Sequence, residues 1–211
     1  MDGDNPWGGL EQPATPVRAP DDQQERPLSP WYVTGFMDGE GCFCASVHRV
    51  PTRRGWYIGP VVQAYQHRDR VDILERLQAF FGCGRIRPKG PHSSVVTWSV
   101  DGVPTIVAKI LPHSDRYPLQ SGKLQDYLVF REIVLRMRAR EHLRADGFLE
   151  LARLAFAMNA TGKQRQYTLA VIESGILRGH TPDLFDREED MVRPAWRHAE
   201  RGRSEMTTPR L

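Results

Sequence analysis

The sequence predicts an α+β fold in the order αββαββα, with a helical extension at its C-terminus. Three observations predict it. Residues 42–49 alternate strictly, with Phe43, Ala45 and Val47 on one side and Cys44, Ser46 and His48 on the other, the pattern of a strand with one buried face. Residues 69–81 place Val71, Leu74, Leu77 and Phe81 at helical spacing, with Gly82 as the stop. Two further strand-like runs, 84–89 and 95–100, follow that helix, and the whole unit occurs once in 211 residues.

Residues 1–29 are rich in Pro, Gly, Asp and Gln, lack an apolar period and read as a disordered leader. Ser29 and Pro30 then make a polar N-cap followed by proline in the first turn, which opens a helix over 30–40. The strand at 42–49 is followed by a turn at 50–56 and a second strand at 57–67, which together make a hairpin. Pro60 in that second strand lacks an amide proton and requires an edge or a bulge. On the third strand Arg85, Arg87 and Lys89 share one face. Helical segments follow at about 102–111 and 121–142. From 146 onward further helices are predicted over 148–159, 168–178 and 187–201, with Arg193, Arg197 and Arg201 on one stripe of the last. The predicted organisation is therefore a leader over 1–29, a domain over 30–145 and an extension over 146–211, the last being a helical cap or a basic arm.

Composition excludes several classes. No run is long and apolar enough to span a bilayer. Neither a signal nor a transit peptide is evident, which points to a cytoplasmic, bacterial or phage-encoded protein that is not secreted. Cys42, Cys44 and Cys83 are odd in number and lack zinc-site spacing, so they read as reduced thiols. Net charge is only +3, but the stretch from 47 to 92 is rich in arginine while the first 29 residues are acidic. A basic middle suits an anionic polymer, and equally a solvated surface.

The stretch GFMDGEG, 35–41, carries the chemistry. Glycine inside a helix costs about 1 kcal/mol against alanine. Gly35 and Gly39 are four residues apart and lie on one face, where they permit a second helix to approach closely. Gly41 stands where a glycine stops a helix. Glu40 puts a carboxylate at a helix C-terminus, against the macrodipole, so a positive group or a metal ion should compensate. Two such helices packed across a two-fold axis would bring two Glu40 carboxylates together, and convergent carboxylates bind hard divalent cations. Beside a basic sheet, that is the arrangement of a metal-dependent nuclease. The alternative is a plain helix-to-strand turn with its acids facing water.

Val33-Thr34-Gly35-Phe36-Met37-Asp38-Gly39-Glu40-Gly41 resembles the nine-residue motif of the LAGLIDADG homing endonucleases, with Glu40 in place of an aspartate. The resemblance covers about residues 30–142. It implies the LAGLIDADG fold, with a saddle of antiparallel strands lying in the DNA major groove. It puts Gly35, Phe36, Asp38 and Gly39 at the interface of a homodimer, with Asp38 more structural than catalytic. It assigns Glu40, with Gly39 beside it, to the metal, Mg²⁺ or Mn²⁺ as a substitute. Gln66 and Arg70 are similar to the polar and basic pair that organises water and phosphate at the scissile bond. Lys123 resembles the family's lysine near the start of a later helix, although Gly122 occupies the usual lysine register.

The resemblance also implies that base readout comes from Cys44, Ser46 and His48 on the first strand, and from Tyr57, Gly59, Val61 and Gln63 on the second. Arg85, Arg87 and Lys89 on the third and Ser94 before the fourth complete the set. Arginine on guanine and glutamine on adenine are the natural pairings, while phosphate contact alone would position without specifying. One motif copy implies a homodimer on double-stranded DNA with a near-palindromic site, cutting both strands. The alternative within the same fold is an RNA maturase, or a regulator that binds without cutting.

Overall fold

A computed structural model describes residues 26–49, 55–158 and 167–177. The predicted leader up to residue 25, most of the hairpin turn and the predicted helix at 187–201 with its arginine stripe lie outside the described residues. The first helix, α1, runs Pro30–Glu40, capped by the Ser29 hydroxyl, which accepts the Tyr32 amide at 3.2 Å. It passes directly into β1, Gly41–Arg49. Gly41 does not stop the helix in the left-handed conformation, since its φ is −82° and its ψ 159°. Glycine is required there for space, because a Cβ would lie 2.4 Å from the Met37 carbonyl oxygen.

β2, Trp56–His67, pairs antiparallel with β1. A 3₁₀ turn at Arg68–Arg70 leads into α2, Asp72–Phe81, which ends at Gly82 with φ 61°. β3, Arg85–Pro88, and β4, Val95–Asp101, complete one antiparallel sheet in the order β1-β2-β4-β3. β2 is thus an inner strand. Pro60 is tolerated because pairing with β4 begins only at Val61, opposite Asp101. On that side β2 is locally an edge at Pro60, as the missing amide demands.

α3 is a continuous helical run over Val103–Thr105, a π segment Ile106–Ile110 and Leu111–Arg116. The sequence predicts its first half but not the widened turn. Pro112 has no amide to give and its ring crowds the carbonyl four residues back, so the turn before it opens and the Leu111 amide reaches the Ile106 carbonyl instead. α4, Lys123–Arg138, is joined by a 3₁₀ turn at Glu141–Leu143 to α5, Ala145–Ala157, and α6 spans Leu169–Leu177. No helix among the described residues is long and apolar enough to cross a membrane.

The alternation of the strands sends Phe43, Ile58, Val62, Trp98 and Val100 into one core with the helices. Phe43 lies 5.1 Å from the Tyr127 ring and 5.5 Å from Phe130 on α4, and Trp98 stacks on Phe81 of α2 at 5.4 Å. Each such side chain contributes about 1.5–3 kcal/mol by burial. The helices therefore cover one face of the sheet, and the other is left half-exposed and polar. The C-terminal helices join the same core through Phe148, Leu151, Ile172 and Ile176. At the N-terminal end Leu28 is already buried, ahead of the Ser29 cap.

Candidate nucleic-acid interface

α1 presents two sides with different fates. Val33, Thr34 and Met37 are buried against the domain. On the opposite side Trp31 and Tyr32 are 53% and 52% exposed, and a Cβ at Gly35 or Gly39 would meet nothing within 4 Å. Both glycines therefore form a shallow, open strip on an aromatic-edged helix face. Phe36 is half-buried and packs on the core.

The end of α1 is organised from α4 and the turn before it. Asp38 turns into the domain, where its Oδ2 accepts the Gln120 and Ser121 amides at 2.8 and 3.1 Å and its Oδ1 accepts the Ser121 hydroxyl at 2.6 Å. Partial burial pushes the Asp38 carboxyl up, but these hydrogen bonds and the nearby Lys123 ammonium outweigh it and hold it below its ordinary value. Lys123 Nζ donates to the carbonyls of Met37, Gly39 and Gly41 at 3.2, 3.3 and 2.7 Å. The cation that a helix C-terminus attracts is therefore Lys123. Glu40 itself is exposed, and none of the ion pairs or side-chain hydrogen bonds among the described residues engages it.

The sheet face away from the helices begins immediately beside Glu40. Cys42, Cys44, Ser46 and His48 of β1 stand opposite Gln63, Val61, Gly59 and Tyr57 of β2. His48 stacks on Tyr57 at 5.1 Å over Gly59. Burial lowers the His48 pKa, which favours its neutral ring. Tyr65 donates its hydroxyl to Gln63 Oε1 at 2.6 Å, and Lys89 Nζ lies 4.9 Å from the Tyr65 ring centre. Arg85 and Arg87 face the same way from β3, opposite Ser99 and Thr97. Cys42, Cys44 and Cys83 are free thiols.

The remaining predicted residues sit at the end of β2. Gln66 Oε1 accepts the amide of His67 at 2.9 Å, and Arg70 is exposed at the end of the 3₁₀ turn. Ser94 is exposed, with its carbonyl accepting the Arg68 amide at 2.8 Å. Three members of the polar face escape the sequence reading, two inside its predicted strands and one just past the predicted end of the fourth. Continuing the period of β2 one step reaches Tyr65, and applying it to β4 reaches Ser99 and Asp101.

No group of three or more His, Cys, Asp or Glu side chains among the described residues could hold a metal ion. A hard divalent cation takes six or more oxygens, so one Glu40 falls far short of a site. A second chain's carboxylate and phosphate oxygens would be needed to fill the shell.

This α+β unit, with one glycine-faced helix ending on a free carboxylate at the rim of a polar strand face, is that of the LAGLIDADG endonuclease family, and the chain belongs to it. Residues 33–134 match the family's model. The homing endonuclease I-ApeII of Aeropyrum pernix is 30% identical over 116 residues, 54% of this chain and 68% of that protein. An uncharacterised 50.9 kDa protein in ND4 intron 1 of Podospora anserina is 32% identical over 119 residues, and the probable intron-encoded endonuclease 3 of Neurospora crassa is 28% identical over 134. The matches take in 55% and 63% of this chain but only 26% and 25% of those two proteins, so the chain spans about a quarter of their length.

Among solved structures, the homing endonuclease I-TnaI has a TM-score of 0.61 at 28% identity, covering 72% of this chain and 99% of that one. The archaeal intron-encoded homing endonuclease I-Vdi141I complexed with DNA gives 0.64 at 27%, covering 71% and 94%. I-SmaMI bound to cleaved DNA gives 0.63 at 28%, covering 74% and 51%.

The expectation of a cytoplasmic, bacterial or phage-encoded protein is overturned. The relatives include intron-associated proteins of the fungi Podospora anserina and Neurospora crassa, and the DNA endonuclease I-CeuI of Chlamydomonas moewusii. Proteins made in the compartment where they act share with bacterial proteins the want of a targeting segment, so that criterion does not separate hosts.

Proposed function

We propose that the chain is a site-specific, metal-dependent DNA endonuclease that acts as a homodimer on a pseudo-palindromic site and hydrolyses one phosphodiester in each strand. The observation that carries this reading is the position of Glu40. It is an unengaged carboxylate at the foot of a helix whose outer face is open glycine, next to the polar face of the sheet. The chain's coverage of its structural neighbours supports two copies, because it accounts for 99% of I-TnaI but only 51% of I-SmaMI. A fold unit that fills one relative and half of another suits one half of a two-fold arrangement.

Two α1 helices packed along Gly35 and Gly39 would bring both Glu40 carboxylates to the floor of the DNA-binding face. Glu40 and its two-fold copy would hold Mg²⁺ together with scissile phosphate oxygens, supplying an activated water and stabilising the departing 3′ oxygen. Gly39 contributes its backbone beside them. Gln66 and Arg70, at the rim of β2, serve to orient water and phosphate. Lys123 fixes the end of α1 through its three carbonyl contacts and so holds Glu40 in place. Base contacts fall to the polar face, from Cys44, Ser46, His48, Tyr57, Gln63, Arg85, Arg87, Lys89 and Ser94.

The test is Glu40→Gln. A target is first obtained by binding selection from a randomised duplex library, and cleavage is then measured in Mg²⁺. The variant is expected to bind the target within a few-fold of wild type and to leave it uncut. Full cleavage by Glu40→Gln would remove the carboxylate from the mechanism and with it this proposal.

A further inference from the structure

On the open face of the sheet, Arg85 of β3 and Asp101 of β4 form an ion pair, with Arg85 Nη2 at 2.5 Å from Asp101 Oδ2. We propose that Asp101 is a specificity-positioning residue, which fixes the Arg85 guanidinium in one pose so that each half-site must offer a guanine there. The inference rests on the DNA-binding reading given above. It adds a residue that no motif points to.

The register explains why the two side chains meet. Arg85 is directly opposite Ser99, and Asp101 lies two residues further along β4 on the same face. Diagonal neighbours on one face of an antiparallel pair are within reach of a long side chain. Both side chains are only partly exposed, at 30% and 25%, so the pair is more restrained than a freely solvated surface bridge.

The charge balance makes Asp101 notable. A carboxylate on a face that must approach a polyanion opposes binding to every sequence alike. Its favourable contribution must come from geometry. The guanidinium carries five N–H donors in a rigid fork. Asp101 engages one nitrogen, leaving a pair of donors that can reach O6 and N7 of one guanine. Holding the fork before binding removes the entropy of ordering a long side chain and disfavours alternative poses on phosphate. Asp101 thereby turns a general phosphate binder into a base reader.

The test is binding selection with the full chain on a randomised duplex library, read by sequencing, alongside the affinity for a random duplex. Wild type is expected to demand guanine at one position of each half-site. Arg85→Ala and Asp101→Ala should each flatten that same position by about tenfold or more, and the double variant should flatten it no further. Arg85→Lys, which keeps charge without the fork, should behave like Arg85→Ala. Asp101→Ala should bind the random duplex as well as wild type or better, which a merely damaged fold would not do. If Asp101→Ala melts early, Asp101→Asn, which keeps the side chain's shape, replaces it.

An unchanged preference in Asp101→Ala overturns the proposal. So does loss at a different base pair from Arg85→Ala, which would mean that Asp101 reads a cytosine itself. So does an unchanged preference in Arg85→Ala, which would leave the pair purely structural. A wild-type chain that enriches no sequence would defeat the DNA reading as well. One that enriches a sequence but fails to cut it would defeat only the endonuclease reading.

Discussion

Lys123 shows how one side chain can settle a local electrostatic conflict. The C-terminus of α1 leaves carbonyls without amide partners, and the partial negative charge there is compounded by Glu40. The ammonium donates to the Gly39 carbonyl, to the Met37 carbonyl that also accepts the Gly41 amide, and to the Gly41 carbonyl just past the helix, so the carboxylate is left unpaired. Hydrogen bonds to a charged group are worth about 1.5–3 kcal/mol. Lys123→Met is therefore expected to lower stability by about 2 kcal/mol in urea denaturation at fixed protein concentration, and an unchanged midpoint would contradict the capping role. His113 gives a second residue-scale expectation. Its ring lies 5.3 Å from each of the Phe80, Phe81 and Tyr117 rings. Thr34 donates its hydroxyl to the Tyr117 carbonyl at 2.9 Å and so receives the His113 Nε2 proton at 3.3 Å. Burial lowers the His113 pKa below its ordinary 6.5, so the unfolded chain binds the proton more readily than the folded one. Its contribution to stability is complete above about pH 6.5 and is lost as pH falls from there towards the lowered folded value. Denaturation midpoints between pH 8 and pH 5 should fall less steeply in His113→Gln than in wild type. Asp38 does not imitate this, because its contribution disappears only below the carboxylate value of 3.8.

At the scale of elements, α1 and its junction with β1 contain three glycine positions with opposite physical meanings. A methyl group at Gly35 meets nothing in the single chain, whereas one at Gly41 would strike the Met37 carbonyl. Gly35→Ala should therefore stabilise the isolated helix by about 1 kcal/mol while separating the two α1 helices of a dimer. Sedimentation should show a dissociation constant raised at least tenfold, and an unaltered dimer would move the interface elsewhere. Gly41→Ala should destabilise the single chain by about 1–3 kcal/mol, since overpacking forces backbone shifts. The spacing of Gly35 and Gly39 was legible in sequence because it is a property of one helix. So were α1, β1, β2, α2 and β4, where apolar period and caps agree. The π turn in α3 was not legible, because periodicity carries no hydrogen-bond register and only Pro112 hints at it. Nor were the partners of Asp38 and Lys123, which come from segments more than eighty residues away. The Arg85–Asp101 pair likewise depends on the β3–β4 register and on β4 running one residue past its predicted end at 100.

Across the whole molecule, α5 and α6 behave as part of the domain. Arg136 of α4 holds Glu141 at 2.7 Å and Glu150 of α5 at 2.5 Å, and Glu132 at 3.7 Å. The resulting bridge ties the family unit to the first extension helix. α6 then closes over the hairpin end of the sheet. Tyr167 meets Trp56 edge-on at 4.9 Å, and a Cβ at Gly175 would lie 2.6 Å from the Trp56 ring nitrogen. Ile172 and Ile176 are buried in the same core as Phe43 and Trp98. Burial of two isoleucines and the cover over Trp56 together contribute several kcal/mol at about 1.5–3 kcal/mol per side chain, a large share of the stability of an ordinary domain. Calorimetry should thus show one cooperative transition for the full chain rather than a separate early melting of the extension. Ending the chain at residue 158 should lower the melting temperature strongly and raise Trp56 fluorescence quenching by added acrylamide. Gly175→Val, which leaves every other contact in place, should do the same more mildly by lifting α6 off Trp56, at about 1–3 kcal/mol. If the shortened chain melted where the full chain does, with Trp56 equally shielded, the extension would be an appendage, and the core would end with α4.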